Sequence, residues 1–506
     1  MQKILRTFEE YQRARVNFVQ SVAQLALREQ HVDLMENAGV MDMLKPLLED
    51  KVPGIQMTAA LALGRLASYS EGIAKNVVDS GTVPNLIKSL QQDSPYARNA
   101  SAFVIRSIAK HSANMSEAVV DEGVLKPLAS CLEHINSKVK ESGAWALDYI
   151  AQHNATLANA VVGSGVVPLL VLCLEEPEPS LKRISATALS DIAKHSPKLA
   201  QIVVDARALE SFDILLKIQD TSLQRQVCAC VAQIAKHSAE LCDQVVNSGV
   251  LQKIIRCLHS DNSSVRHNAL ICVREVAKRS LKHSTAIVGN GGVKIILDIL
   301  NDEPETSLWL PAAMAIGYVA ASSAEHALQI VELRGVPVMS KLLTDNQKSN
   351  SETHAAIAWA LGQIGKHSEK HAKSMVKEDI CIHLVSLLTS KTSSSDVKEK
   401  SLSALEAIVS QCMEMESLEP LLRDAPPGVL KCVLEQFVAI LPKSAETKHK
   451  FVDSGALKYV QELDQKDDSE IGDLVRKVTR CFPQDVADYY APGNDRRLIE
   501  KHFGRE

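Results

Sequence analysis

Four histidines stand at a fixed interval in this chain: His111, His153, His195 and His237 are each 42 residues apart. Each closes a helix-like run, Ile108-Ala109-Lys110-His111-Ser112, Ile150-Ala151-Gln152-His153-Asn154, Ile192-Ala193-Lys194-His195-Ser196 and Ile234-Ala235-Lys236-His237-Ser238. Weaker copies lie at 66–70, 276–280 and 364–368. A second marker keeps the same phase. Gly39, Gly81, Gly123, Gly165 and Gly249 share the lattice, Arg207 replaces one glycine, and Gly292, Gly335 and Gly455 continue it after small insertions. A chain of 506 residues is too long for one compact core. Self-similarity at this period means that each unit buries its apolar face against the next unit.

Each unit reads as three helices. A short one, as at 115–121, ends at the glycine, which supplies the positive-φ turn that stops it. A second, as at 124–133, often carries a proline near its start (Pro84, Pro168, Pro337), where the missing N–H costs little. A long third helix, as at 138–152, places Ala144, Leu147 and Ala151 on one stripe. Hydrophobic residues make up 46% of the chain and aromatics only 4%, a balance that suits closely approaching helices rather than sheet sandwiches. The pattern predicts an all-α fold, an armadillo-repeat right-handed superhelical solenoid of about eleven units with degenerate outer ones. Third helices are expected to end near Arg28, Tyr69, His111, His153, His195, His237, Arg279, Ser322, His367, Gln411 and Lys443. The domain division expected is a degenerate N-terminal repeat or cap over 1–38, the repeat array over 39–465, and a C-terminal cap and tail over 466–506. Ser393-Ser394-Ser395 and Asp424-Ala425-Pro426-Pro427-Gly428 read as loosened turns.

Several function classes find no support. There is no P-loop, no H-E-x-x-H and no G-x-S-x-G, and a histidine that recurs in every repeat behaves as a packing or capping element, not as a catalyst. No catalytic residue and no cofactor is expected. His367 and His371 have a metal-compatible spacing, but their segment is polar and crosses a helix end, so no metal site is expected either. The 56 Lys+Arg against 61 Asp+Glu leave a formal net charge of −5, which gives no global reason to bind nucleic acid. No apolar stretch is long enough to span a membrane, and the N-terminus lacks an apolar signal region. The 11 cysteines include no C-x-x-C pair; Cys131, Cys173 and Cys257 share the lattice and read as buried core thiols of a reducing compartment.

In armadillo arrays the third helices line a concave groove, and nuclear-import adaptors grip basic peptides there with a ladder of Trp and Asn. The matching Trp positions here hold Leu61, Phe103, Trp145, Thr187, Ala229, Ile271, Met314 and Trp359, and the Asn positions hold Arg65, Ser107, Tyr149, Asp191, Gln233, Glu275, Tyr318 and Gln363. The regular ladder is absent. Trp145, Tyr149, Tyr318, Trp359 and Gln363 are the candidate partner-binding residues, since exposed aromatics make good anchors. Lys110, Lys194, Lys236, Lys278 and Lys366 form a second ladder, read either as dipole complements at helix ends or as a basic ridge that tracks an acidic surface. Phe482, Tyr489 and Tyr490 gather scarce aromatics near the C-terminus and are candidates for self-association, which makes a homo-oligomer expected.

Certain segments are more specific. Phe8-Glu9-Glu10-Tyr11-Gln12-Arg13-Ala14-Arg15, Ala59-Ala60-Leu61-Ala62-Leu63-Gly64-Arg65, Leu189-Ser190-Asp191-Ile192-Ala193-Lys194-His195, Ala358-Trp359-Ala360-Leu361-Gly362-Gln363, Asp424-Ala425-Pro426-Pro427 and Tyr489-Tyr490-Ala491-Pro492-Gly493 resemble the sperm-associated antigen six family, with a likeness read across nearly the whole chain. The resemblance implies a non-catalytic scaffold of the central apparatus in motile cilia and flagella. It also implies association with the C1 microtubule of the central pair, with tubulin and other central-apparatus proteins as partners, and a role in motility. The alternative is a cytoplasmic armadillo adaptor for signalling or transport proteins.

Overall fold

The computed structural model describes residues 1–302, 305–345, 350–463 and 469–491, which contain helices and no strand. They divide into two compact units, Met1–Cys272 and the described residues from Val273 onward. The boundary between array and tail expected at 465, and everything after residue 491, lie outside the described residues.

The fold is an all-α armadillo-type repeat stack. A typical unit comprises Ala113–Asp121, Leu125–Leu132 and Ser137–Ala151, within two residues of the helices expected from the pattern. In the first compact unit the long helices Gln2–Leu25, Pro53–Ala67, Pro95–Ala109, Ser137–Ala151, Pro179–Ala193 and Thr221–Ala235 pack each on the next. In the second, Trp309–Ser322, Ser351–Gly365, Ser395–Val409, Pro427–Ile440 and Ser469–Thr479 do the same. The last of these adds a long helix beyond those expected. Ala144, Leu147 and Ala151 are fully buried, as their stripe requires.

Capping explains the recurring dipeptide at each joint. Ser70, Ser112, Asn154, Ser196, Ser238 and Ser280 N-cap the first helix of their repeats, each side-chain oxygen accepting from the N–H three residues on. The histidine just before the cap has its own task. His111 Nε2 lies 2.7 Å from the Ala67 carbonyl oxygen, His153 Nε2 2.7 Å from that of Ala109, and His195 Nε2 2.8 Å from that of Ala151. His237 reaches Ala193 at 2.8 Å and His367 reaches Ala320 at 2.7 Å. Each imidazole N–H therefore donates to an orphan carbonyl at the C-terminal end of the preceding long helix, stapling one repeat to the next.

Two lattice positions differ from the reading of the sequence. Gly291, not Gly292, takes the left-handed turn, and Arg334, not Gly335, takes the following one at φ 60°. Gly335 instead sits where a Cβ would press on Ile330 and Leu297. Arg207 holds φ 66° in the glycine slot of its repeat, and Asp379 does so at φ 55°. Ser394, within the supposed loose turn, N-caps Ser395–Val409 by accepting from Val397 N–H. The next repeat is the degenerate one: its first two helices shrink to Met415–Leu418 and Leu421–Asp424.

Candidate partner-binding face

Within each compact unit the long helices carry the ring-bearing positions, and the chemistry at those positions differs between the two units. In the first, Phe103 and Arg106 project from Pro95–Ala109, and Trp145 and Tyr149 from Ser137–Ala151; all four are partly exposed. Arg106 Cζ lies 5.1 Å from the Phe103 ring centroid and 5.5 Å from that of Trp145. The Trp145 and Tyr149 rings stack with centroids 5.9 Å apart. Burial holds the Arg106 guanidinium below its ordinary value, against the pull of Tyr149 and Glu141.

One repeat further along, the carboxyl of Asp148 is buried, with Oδ1 unpartnered. Burial, and then the neighbouring carboxyl of Asp191, push its pKa well above the usual carboxylate range. Asp191 is in turn paired with Lys194 at 2.8 Å.

In the second unit the rings enclose a pocket. Tyr318 and Trp359 meet edge-to-face at 4.8 Å. With Leu310, Met314, Ala355 and Ala356 they line a cavity of about 470 Å³, whose rim carries Glu352, Asp396 and Lys400. Trp359 reaches this position because Gly317, on the preceding long helix, has no side chain: a Cβ there would collide with the indole. Gln363, one turn after Trp359, accepts from Lys366 Nζ.

The lysine ladder is a set of helix C-caps. Lys110, Lys194, Lys236 and Lys366 each follow the last residue of a long helix. Three of them fold back by three residues, Lys194 onto Asp191, Lys236 onto Gln233 and Lys366 onto Gln363. Lys278 Nζ sits 5.9 Å from the Tyr318 ring centroid. Lys110 differs: burial and the charge of Arg106 hold its ammonium below the ordinary value.

The remaining candidates are placed as follows. Phe482 is buried, its ring stacked 5.8 Å from that of Phe451, which meets Phe437 at 4.8 Å, so it belongs to the core of the second unit. Tyr489 is exposed and Tyr490 half-exposed, with centroids 4.9 Å apart. His367 and His371 rings lie 5.6 Å apart, and both Nε2 atoms face carbonyls, of Ala320 and Ala324. Among the described residues no group of His, Cys, Asp and Glu is arranged to hold a metal ion, and no single helix is long and apolar enough to cross a membrane. The cysteines are free, and Cys131, Cys173 and Cys257 are buried at or near the ends of second helices. Arg106, wedged between two rings, was missed in the sequence. The signal that finds it is its place, three residues after Phe103 and one repeat before Trp145.

Residues 85–420 match a family model described as proteasome non-ATPase 26S subunit. Human sperm-associated antigen 6 is 42% identical over 165 residues, which is 33% of this chain and 32% of the relative. The mouse protein of that name is 43% identical over the same length. The match thus spans about a third of these relatives, less than the near-complete likeness read from the sequence. An engineered protein of known crystal structure is 26% identical and overlays on 87% of this chain and 98% of its own, with a TM-score of 0.71.

Proposed function

We propose that this chain, which belongs to the family described as proteasome non-ATPase 26S subunit, is a non-catalytic scaffold of the axonemal central apparatus. The observation that carries the reading is the 42% identity with human sperm-associated antigen 6. The geometry is consistent with it: a stack of repeats offers many moderate contact points along one face in place of a deep reaction cleft. Trp145, Tyr149, Tyr318, Trp359 and Gln363 are the proposed contacts to other proteins, and the C1 microtubule of the central pair is the proposed support. Self-association rests on Tyr489 and Tyr490, since Phe482 is taken up by the core.

The test is to tag the chain in a ciliated cell and extract with detergent. Axonemal signal that survives extraction supports the reading, and diffuse cytosolic signal refutes it. Co-sedimentation of the purified chain with microtubules at low and physiological salt then separates direct from bridged attachment. The family description favours a second reading, a scaffold of the 26S proteasome. Co-migration of the tagged chain with native 26S particles, in place of the axoneme, would select it.

A further inference from the structure

Several cations of the first compact unit are matched by carboxylates. Lys88 pairs with Glu49 at 3.0 Å, Lys138 with Glu141 at 3.1 Å, Arg183 with Asp220 at 2.8 Å and Lys194 with Asp191 at 2.8 Å, and Lys140 pairs with Glu176. Arg106 and Lys110 make no ion pair among the described residues. They are one turn apart at the C-terminal end of Pro95–Ala109 and both partly buried; burial lowers the pKa of each, and the charge of Arg106 lowers that of Lys110 further. Two like charges have been gathered where water is scarce, beside a shelf made of the Trp145 and Tyr149 rings.

We infer that Arg106, Lys110, Trp145 and Tyr149 form a docking site for an acidic, extended peptide segment of a partner protein. This inference deepens the scaffold reading above by assigning one contact and its chemistry. A glutamate or aspartate carboxylate placed against Arg106 and Lys110 supplies the missing counter-charge, and the planar guanidinium offers it a fork already oriented by the two flanking rings. The adjacent residue of the peptide lies on the Trp145–Tyr149 shelf. Flanking acids narrow the choice of anion. Acids stand beside the pair: Glu141, which favours the charged form of Arg106, and Asp191, which pairs with Lys194 at 2.8 Å. Such a site fits separate carboxylates on a peptide better than a continuous phosphodiester backbone, which would run onto those acids.

The test uses the full chain and fluorescein-labelled hexaglutamate, read by anisotropy. Binding is expected at low salt and is expected to weaken as salt screens the pair. Arg106→Gln with Lys110→Gln should weaken it at least tenfold, and Lys126→Gln, an exposed lysine elsewhere in the unit, should leave it unchanged. Lys110→Gln alone, at a helix C-cap outside the ring sandwich, should weaken it several-fold and stands in if the double variant melts early. Equal binding by wild type and by the Lys110 variant overturns the inference. So does capture of a labelled oligothymidylate in place of hexaglutamate. Axonemal retention without hexaglutamate binding overturns this site and leaves the scaffold reading standing; hexaglutamate binding with no axonemal signal does the reverse.

Discussion

Replacing His153 by alanine tests the staple between repeats. In the folded chain His153 Nε2 donates to the Ala109 carbonyl oxygen at 2.7 Å across the joint between Pro95–Ala109 and Ser137–Ala151. The net worth of such a bond is about 1 kcal/mol, and leaving the partner carbonyl partly buried and unpaired adds to that, so roughly 1–2 kcal/mol should be lost at the joint. In a stack whose units contact only their neighbours, the loss is local. Native-state hydrogen exchange followed by mass spectrometry is therefore the right assay. Peptides covering residues 105–120 and 147–160 should exchange about 5- to 30-fold faster, the factor that corresponds to that free energy. Peptides from the second compact unit should keep their rates. His259→Ala serves as control, because His259 is exposed and outside the lattice of staples. Unchanged exchange at the joint, with helix content intact, would show that the recurring histidine is a passenger of the repeat and carries no interface energy.

Other perturbations follow the same geometry. Leu147→Asp puts a carboxylate at a fully buried position with no partner and should cost at least about 3 kcal/mol, seen as loss of the cooperative melt of the first unit in circular dichroism. Gly165→Ala, at φ 80° with open space around the new methyl, should destabilise by roughly 1 kcal/mol of backbone strain; Arg207→Gly, at φ 66°, should be neutral or slightly stabilising, and urea titration measures both. Burial lowers the pKa of His195, His326, His354 and His371, so the unfolded chain takes up these protons first as pH falls; their contribution is complete above about 6.5 and is lost as pH drops through the folded values, so the melting temperature should fall between pH 7.5 and 5.5. Asp148 has the opposite sign, its raised pKa contributing below the ordinary carboxylate value and losing effect as pH rises; Asp148→Asn, which removes the titrating carboxyl, should raise stability at pH 7.5 by roughly 1–3 kcal/mol, read from urea titration.

The fold was legible because every repeat states it again. The 42-residue lattice of histidines, the apolar stripe through Ala144, Leu147 and Ala151, and the glycine turns place the helices to within about two residues, the usual uncertainty at helix ends. The lattice failed where chain geometry and residue type part company. Gly292 and Gly335 look like turn residues, but the left-handed conformation falls one residue earlier, on Gly291 and on Arg334. Periodicity gives a register only until an insertion shifts it. The candidate face was half legible. Its aromatic positions follow from the repeat, but whether a ring faces solvent, a neighbour or a pocket depends on the residue across the joint, which no single helix reveals. Phe482 shows the same limit: a scarce aromatic near the C-terminus reads as an anchor, yet Phe451 and Phe437 supply it with a core.

That residue across the joint lies three places after each ring position, and it decides the chemistry of the face. At Gly317 the absent side chain lets the indole of Trp359 lie against the helix backbone, and with Tyr318 this closes an apolar pocket. At the equivalent place on Pro95–Ala109 stands Arg106, so Trp145 rests on a guanidinium and the surface stays charged. At the next stands Asp148, a buried carboxyl whose pKa is raised by burial and by the neighbouring carboxyl of Asp191. One backbone geometry thus yields an apolar pocket, a cationic shelf and a buried acid, according to a single side chain per repeat. The Arg106 and Trp359 positions should accordingly be separable: a change at Gly317 alters the apolar contact in the second unit and leaves the acidic contact of the first intact.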